Sequence, residues 1–315
     1  MKDFLKKIAI ATVIVVFITE GLNLIYIRYA YYGNETYKFS SVPQNIMICN
    51  FGSSHGQKSF NYEDIEDISC FNFGLSSQTP SYDYRILENY EDNITEGAVV
   101  FIPISYFTFY GCDECEEENF LAKNRRYYRF LPPEAIKLYD MKTDVYISYF
   151  PMLCEGDRLI KKLVGADETF EEEWNRSSLD IDINEDAHFA AYRHLITGKL
   201  DSNGVRIVNE SEILAVEKII IMCQNMECRP VLITTPYLQE YTDAIVELDP
   251  YFYDDFYRII KEIQQKTGVE YYDYAFDKRF NNCPELFMNS DHLNKEGARV
   301  FTNVVIEELV YSNGF

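Results

Sequence analysis

Five short apolar runs, set between segments of helical periodicity, limit this chain to few architectures. They are Asn45–Phe51, Ile68–Phe73, Ala98–Ile104, Pro230–Thr235 and Val269–Tyr274. Runs of this length without polar alternation predict strands covered on both faces, as in a parallel sheet. Helical patterns lie between and after them. Pro80–Tyr90 follows the second run, Ser211–Glu227 precedes the fourth, and Tyr253–Thr267 ends at Gly268, a helix stop. Lys295–Tyr311 follows Asn294, an N-cap residue, and repeats Ala298, Phe301, Val305 and Leu309. Alternating strands and helices predict an α/β doubly wound parallel sheet. Ligands bind such sheets outside the carboxyl ends of the strands. Gly52-Ser53-Ser54, Gly74-Leu75-Ser76, Ser105-Tyr106 and Thr235-Pro236-Tyr237 all fall at predicted carboxyl ends.

The first thirty residues carry a different signal. A start with Lys2, Lys6 and Lys7 leads into Ile8–Ile27, about twenty mostly apolar residues, enough to cross a bilayer. Glu20 and Asn23 interrupt the run, and no small-residue cleavage site follows it. These features predict an uncleaved signal anchor, with the N-terminus cytoplasmic and the rest of the chain extracytoplasmic. A cytoplasm-facing domain is a weaker alternative. The predicted organisation is a cytoplasmic N-terminus and transmembrane anchor over 1–30, a linker over 31–44, and a catalytic domain over 45–315. An insertion over about 110–209 breaks the strand–helix rhythm.

Charge removes one class of partner. The chain holds 51 acidic and 29 basic residues, a formal net charge of -22. A nucleic-acid binder needs a basic footprint, so none is expected here. Of eight cysteines, Cys49 and Cys70 sit in predicted strands as core residues. Cys112 and Cys115 form a lone Cys-x-x-Cys among acidic residues. No second pair or nearby histidine completes a zinc set, so a local disulfide or two free thiols is expected, with no metal and no cofactor.

Two motifs carry chemistry. Gly52-Ser53-Ser54-His55-Gly56 follows the first strand and presents a hydroxyl at the sheet edge. Asn289-Ser290-Asp291-His292-Leu293-Asn294 precedes the last helix and supplies an acid–base pair. A serine, a histidine and a carboxylate together form a nucleophile, its base and the group that orients the base. His55 is expected to be structural or to contact substrate, and His188 and His194 to lie on the surface.

These blocks resemble the SGNH/GDSL hydrolase superfamily, over roughly Asn45 to Leu309 with the insertion unmatched. In particular the chain is similar to its membrane-anchored extracytoplasmic branch, represented by the D-alanine transfer protein of teichoic acid synthesis and by polysaccharide O-acylation proteins. The resemblance implies a flavodoxin-like three-layer sandwich around a parallel sheet. It puts the nucleophile at Ser54 and the base at His292; the group that orients the base is then the adjacent Asp291, or a backbone carbonyl in a Ser–His dyad. It implies an oxyanion hole from the N–H groups of Ser54 and Gly74, with Ser105 where the family has an asparagine. Asn289 stands where the family has an aspartate. Tyr106, Tyr237 and His55 are candidate substrate contacts. The implied activity is that of an esterase or O-acyltransferase on a cell-surface glycopolymer, with a membrane-bound O-acyltransferase as partner. A rival reading is a degenerate domain that binds glycan or scaffolds a polysaccharide assembly.

Overall fold

The computed structural model of the protein describes residues 1–31, 33–111, 124–165 and 168–313. The Cys112–Cys115 pair and the acidic residues around it lie outside the described residues. The chain divides into two compact units, Met1–Ser41 with Cys115–Glu173, and Val42–Glu114 with Trp174–Phe315.

In the first unit, helix α1 (Lys2–Tyr26) continues through Ile27–Tyr31. The helix is long and apolar enough to cross a membrane. Its side chains from Phe4 to Ile18 face outward, while Asn23 and Tyr26 near its end are buried. The Asn23 amide donates to the Tyr149 carbonyl at 2.8 Å. Arg129 lies 4.4 Å over the Tyr31 ring and donates to the Tyr26 hydroxyl at 3.2 Å. Phe39 stacks on Phe130 at 3.8 Å between centroids.

The second unit is built on a sheet of five strands: β1 (Ile46–Asn50), β2 (Cys70–Asn72), β3 (Ile94–Pro103), β4 (Arg229–Thr234) and β5 (Glu270–Asp273). They lie in the order β2-β1-β3-β4-β5, and every pair is parallel. All five predicted strands are present, and the α/β parallel-sheet class read from the sequence is the observed one. Ile48, Val99, Val100, Phe101, Val231 and Leu232 are fully buried, because helices cover both sheet faces.

The strand order fixes where those helices go. Crossovers between parallel strands are right-handed. The step from β1 to β2 runs one way, so α2 (Ser54–Ser59) lies on one face. The remaining steps run the other way, so α3 (Pro80–Tyr90), α5 (Glu210–Asn225) and α7 (Phe252–Thr267) lie on the opposite face. A further pair, α4 (Ile183–Leu195) and α6 (Gln239–Leu248), pack on each other. The last helix, α8 (Lys295–Val305), returns to pack beside α2. Local sequence ends these helices where expected. Gly268 takes φ +72° after α7, and Asn294 Oδ1 caps α8 by accepting from the Gly297 N–H at 2.9 Å.

The chain leaves β1 for β2 on one side and returns to β3 on the other. That reversal opens a crevice at the carboxyl ends of β1 and β3. Gly52-Ser53-Ser54 follows β1 there, and Ser105 lies just beyond β3.

Candidate active site

The turn after β1 is built by close backbone approach. Gly52 has φ +102°, and a Cβ on it would lie 3.1 Å from Pro103. The Gly52 N–H donates to Asp83 Oδ1 at 3.0 Å, and its carbonyl accepts from the Leu75 N–H at 3.1 Å. Burial pushes the Asp83 carboxyl up to about 7, against the opposing pull of its Gly52 and Gln78 donors. The Asn50 amide donates to the Gly56 carbonyl at 3.0 Å, and the Asn72 amide donates to the Gln57 and Phe60 carbonyls at 2.9 Å each. These asparagines tie α2 to β1 and β2, so Ser54 opens a fixed helix at the sheet edge.

The second half of the site is a short loop before α8. Ser290 is held by Asp186 of α4, which accepts from its N–H at 2.9 Å and its hydroxyl at 2.6 Å. The Ser290 carbonyl accepts from the Leu238 N–H at 3.0 Å. Asn289 Oδ1 accepts from the His292 N–H at 2.8 Å and lies 3.2 Å from its Nδ1. These contacts fix His292 over α2.

The two halves meet in one hydrogen-bonded chain. His292 Nε2 lies 2.8 Å from Ser54 Oγ, and its Nδ1 lies 2.9 Å from Asp291 Oδ1. Across Asp291, Oδ2 lies 3.2 Å from His55 Nε2, and His55 Nδ1 lies 2.7 Å from Ser105 Oγ. A single buried carboxylate thus joins two Ser–His pairs. Ser54 is half-buried, whereas Ser105, His55 and Asp291 have almost no exposed surface.

Proton counting gives the roles. A carboxylate only accepts, so both imidazoles present an N–H to Asp291. The remaining nitrogens, Nε2 of His292 and Nδ1 of His55, then accept from Ser54 and Ser105. Burial alone would raise the Asp291 carboxyl, but His292 and then His55 outweigh it and hold it well below the usual carboxylate range. Burial, then the neighbouring His292, pushes His55 down to about 4, with Asp291 offsetting only part. His55 is therefore neutral at physiological pH.

No family model matches the sequence, and no curated protein matches it. Solved structures of similar chain path do exist. One is a psychrotrophic esterase from Pseudoalteromonas, at 10% identity and a TM-score of 0.40, covering 85% of this chain and 100% of that one. Another is an acetyl-xylooligosaccharide esterase from Geobacillus, at 11% identity and a TM-score of 0.37, covering 87% of this chain and 96% of that one. With about one residue in ten identical, the side-chain chemistry has to be read from this chain itself.

The structure brings together Ser54, His292 and Asp291; of the other candidates it turns Gly74, Ser105, Tyr106 and Tyr237 inward, and it gives His55 the structural placement that was one of its two expected roles. The Gly74 N–H donates to Asn72 Oδ1 at 2.9 Å, so it is committed within the turn rather than offered to an oxyanion. The Ser105 N–H donates to Thr108 Oγ1 at 3.0 Å and its hydroxyl is held by His55, so it too faces inward. Tyr106 and Tyr237 have no exposed surface; their rings lie 5.3 Å apart in an aromatic cluster with Phe252 and Phe256. They pack instead of meeting a ligand. His55 is likewise internal, its ring stacked on His292 at 4.4 Å and edge-on to Tyr237 at 5.2 Å.

His194 corrects another expectation. It is buried, not on the surface, because α4 turns Ala187, Ala190, Ala191, His194 and Leu195 inward. Its Nδ1 lies 2.8 Å from the Tyr241 hydroxyl and 3.7 Å from Asp291 Oδ2. Burial pushes it down to about 3, against the pull of Asp291. His188 is on the surface as expected, paired with Glu247 at 2.9 Å. Cys49 is a buried free thiol of β1, and Cys70 is a half-buried one.

His55, Asp291 and His292 place ligand atoms within 4.8 Å of one another, close enough to surround a small cation. All four ring nitrogens of those histidines already have partners, so a metal would have to break the chain of hydrogen bonds to bind.

Proposed function

We propose that the protein is a serine-nucleophile acyl-ester hydrolase or O-acyltransferase. One observation carries this reading: Ser54, the half-buried serine of the network, meets the free nitrogen of an imidazole whose other nitrogen faces a buried carboxylate. Ser54 Oγ attacks an ester or thioester carbonyl, and its proton passes to His292 Nε2. Asp291 stabilises the imidazolium that results. His292 returns the proton to the leaving oxygen or sulfur as the tetrahedral intermediate collapses to an acyl-enzyme. Water, or a sugar or polyol hydroxyl, then attacks the acyl carbonyl, giving its proton to His292. Ser54 leaves as a hydroxyl. The Ser54 N–H, in the first turn of α2 where no intrahelical acceptor exists, is the proposed donor to the developing oxyanion.

The proposed substrate is an acylated cell-surface glycopolymer or a lipid-linked acyl donor near the bilayer. The apolar helix α1 supports this placement, with the domain held extracytoplasmic and close to the membrane. A membrane-bound O-acyltransferase partner follows from the sequence resemblance. The commitment of Gly74 and Ser105 inside the fold favours a second reading, a domain on the same scaffold that binds glycan without turnover. Treating the full chain with a fluorophosphonate probe, beside Ser54→Ala, decides between them. Labelling that depends on Ser54, with hydrolysis of a small acetyl ester, supports the enzyme. A folded wild type that neither labels nor hydrolyses supports the binding domain.

A further inference from the structure

Three of the chain's four histidines gather at Asp291. The proposed reaction uses one of them. His55 is engaged on both nitrogens, is 1% exposed, and stacks against the catalytic imidazole. We propose that His55 and Ser105 are positioning residues for acyl transfer at Ser54. They form a buried, uncharged clamp on the far side of Asp291 that aims Oδ1 at His292. This inference rests on the reading of Ser54 as nucleophile.

The geometry explains why a clamp is needed. Asp291 has no exposed side-chain surface, so water cannot satisfy Oδ2. An unpartnered oxygen there would turn the carboxylate toward whatever donor it found, and Oδ1 would leave His292. His55 supplies the donor. The acceptor-only carboxylate puts the proton of His55 on Nε2, and the Ser105 hydroxyl, itself fixed beyond β3 by the N–H to Thr108 Oγ1 bond, then donates to the bare Nδ1 and holds the ring in place.

The clamp's neutrality matters as much as its position. An arginine or lysine would also satisfy Oδ2, but its charge would cancel the carboxylate just when His292 becomes imidazolium. A neutral ring at 4.4 Å leaves the whole carboxylate charge to that imidazolium and adds no repulsion to it. The depression of the His55 pKa to about 4 agrees with this role.

Two measurements on the full chain, purified in detergent, test the proposal. Isotope-labelled histidine and nitrogen–proton correlation spectra report each ring's tautomer without any turnover. The expected result is Nδ1–H for His292 and Nε2–H for His55, each N–H shifted downfield of the amide envelope. Nδ1–H on His55 would overturn the clamp while leaving the hydrolase reading intact. The second measurement is kinetic. His55→Leu removes the donor to Asp291, and kcat should fall roughly ten- to hundredfold with KM little changed. His55→Gln, which retains an N–H for Oδ2, should recover much of that loss. A merely structural role would instead give Leu and Gln variants whose kcat follows their folded fraction and whose His292 N–H resonance keeps its wild-type position, and that outcome overturns the clamp. A wild type with no Ser54-dependent labelling removes the catalytic role of the clamp together with the hydrolase reading, whatever the tautomers.

Discussion

Ser54 Oγ and His292 Nε2 lie 2.8 Å apart although 238 residues separate them. The fold makes this contact by returning the last helix to the face that carries α2. Removing either partner should therefore leave the fold and lose the reaction. Ser54→Ala and His292→Gln should each lower kcat for a small acetyl ester by roughly a millionfold. Their melting temperatures should stay near wild type. Steady-state kinetics beside circular-dichroism melting checks both halves. An Ser54→Ala protein with substantial activity would mean a different nucleophile.

Asp291 accepts an imidazole N–H on each oxygen. Asp291→Asn puts an NH2 where one of those N–H groups points. One histidine must then change tautomer or lose its bond. If His292 changes, its Nε2 carries a proton and can no longer accept from Ser54. The expected loss in kcat is roughly 10^3- to 10^4-fold. A stability loss of about 1–3 kcal/mol should accompany it, from the mismatched buried donor. Chemical denaturation and the rate of fluorophosphonate labelling measure the two effects separately.

The sequence made much of this site legible, and its limits are physical. Apolar runs of strand length gave all five strands to within a few residues, because strands covered on both faces leave no polar positions to confuse the pattern. The meeting of Ser54, Asp291 and His292 was readable because the two motifs that carry them sit at strand and helix boundaries. A structural role for His55 was legible, but its partners were hidden, since Ser105 and Asp291 come from segments remote in sequence. His194 was less hidden: Ala187, Ala191, His194 and Leu195 share one helical stripe, a spacing that marks a buried face. The engaged Gly74 N–H was also locally encoded. Asn72-Phe73-Gly74 has the two-residue offset at which an asparagine oxygen accepts from a backbone N–H.

The buried histidines predict a pH dependence of stability whose sign can be worked out. His194 titrates near 6.5 when unfolded and is held down to about 3 when folded. Between those values the unfolded chain binds the extra proton, so stability falls as pH falls from about 6.5 toward about 3. The loss on reaching pH 4 is on the order of 3 kcal/mol from this residue. His55 acts in the same direction, down to about 4. Asp83 acts in the opposite direction: its folded carboxyl is raised to about 7, so it weakens the fold as pH rises toward that value. Wild-type melting alone therefore mixes opposing slopes. Comparison with His194→Gln cancels the slope of Asp83, which both chains share, and leaves that of His194 together with the change it makes in its neighbours His55 and Asp291. The stability of the wild type relative to the variant should decline steadily from pH 6.5 to pH 4. A constant difference across that range would show that His194 is not held neutral.

Gly56 lies two residues after Ser54, the proposed nucleophile. A Cβ on Gly56 would lie 2.2 Å from the Phe51 carbonyl oxygen and 3.1 Å from Pro103. The first of these neighbours is backbone at the end of β1 and cannot rotate away. Gly56→Ala must therefore push α2 outward, and Ser54 and His55 move with it. The expected cost is on the order of 1–3 kcal/mol in stability, as for overpacked cores, together with a loss of kcat larger than the unfolded fraction explains. Gly21→Ala is the control, since a Cβ there meets nothing within 4 Å. Equal melting temperatures for the two variants would mean that the backbone of α2 does not approach β1 this closely.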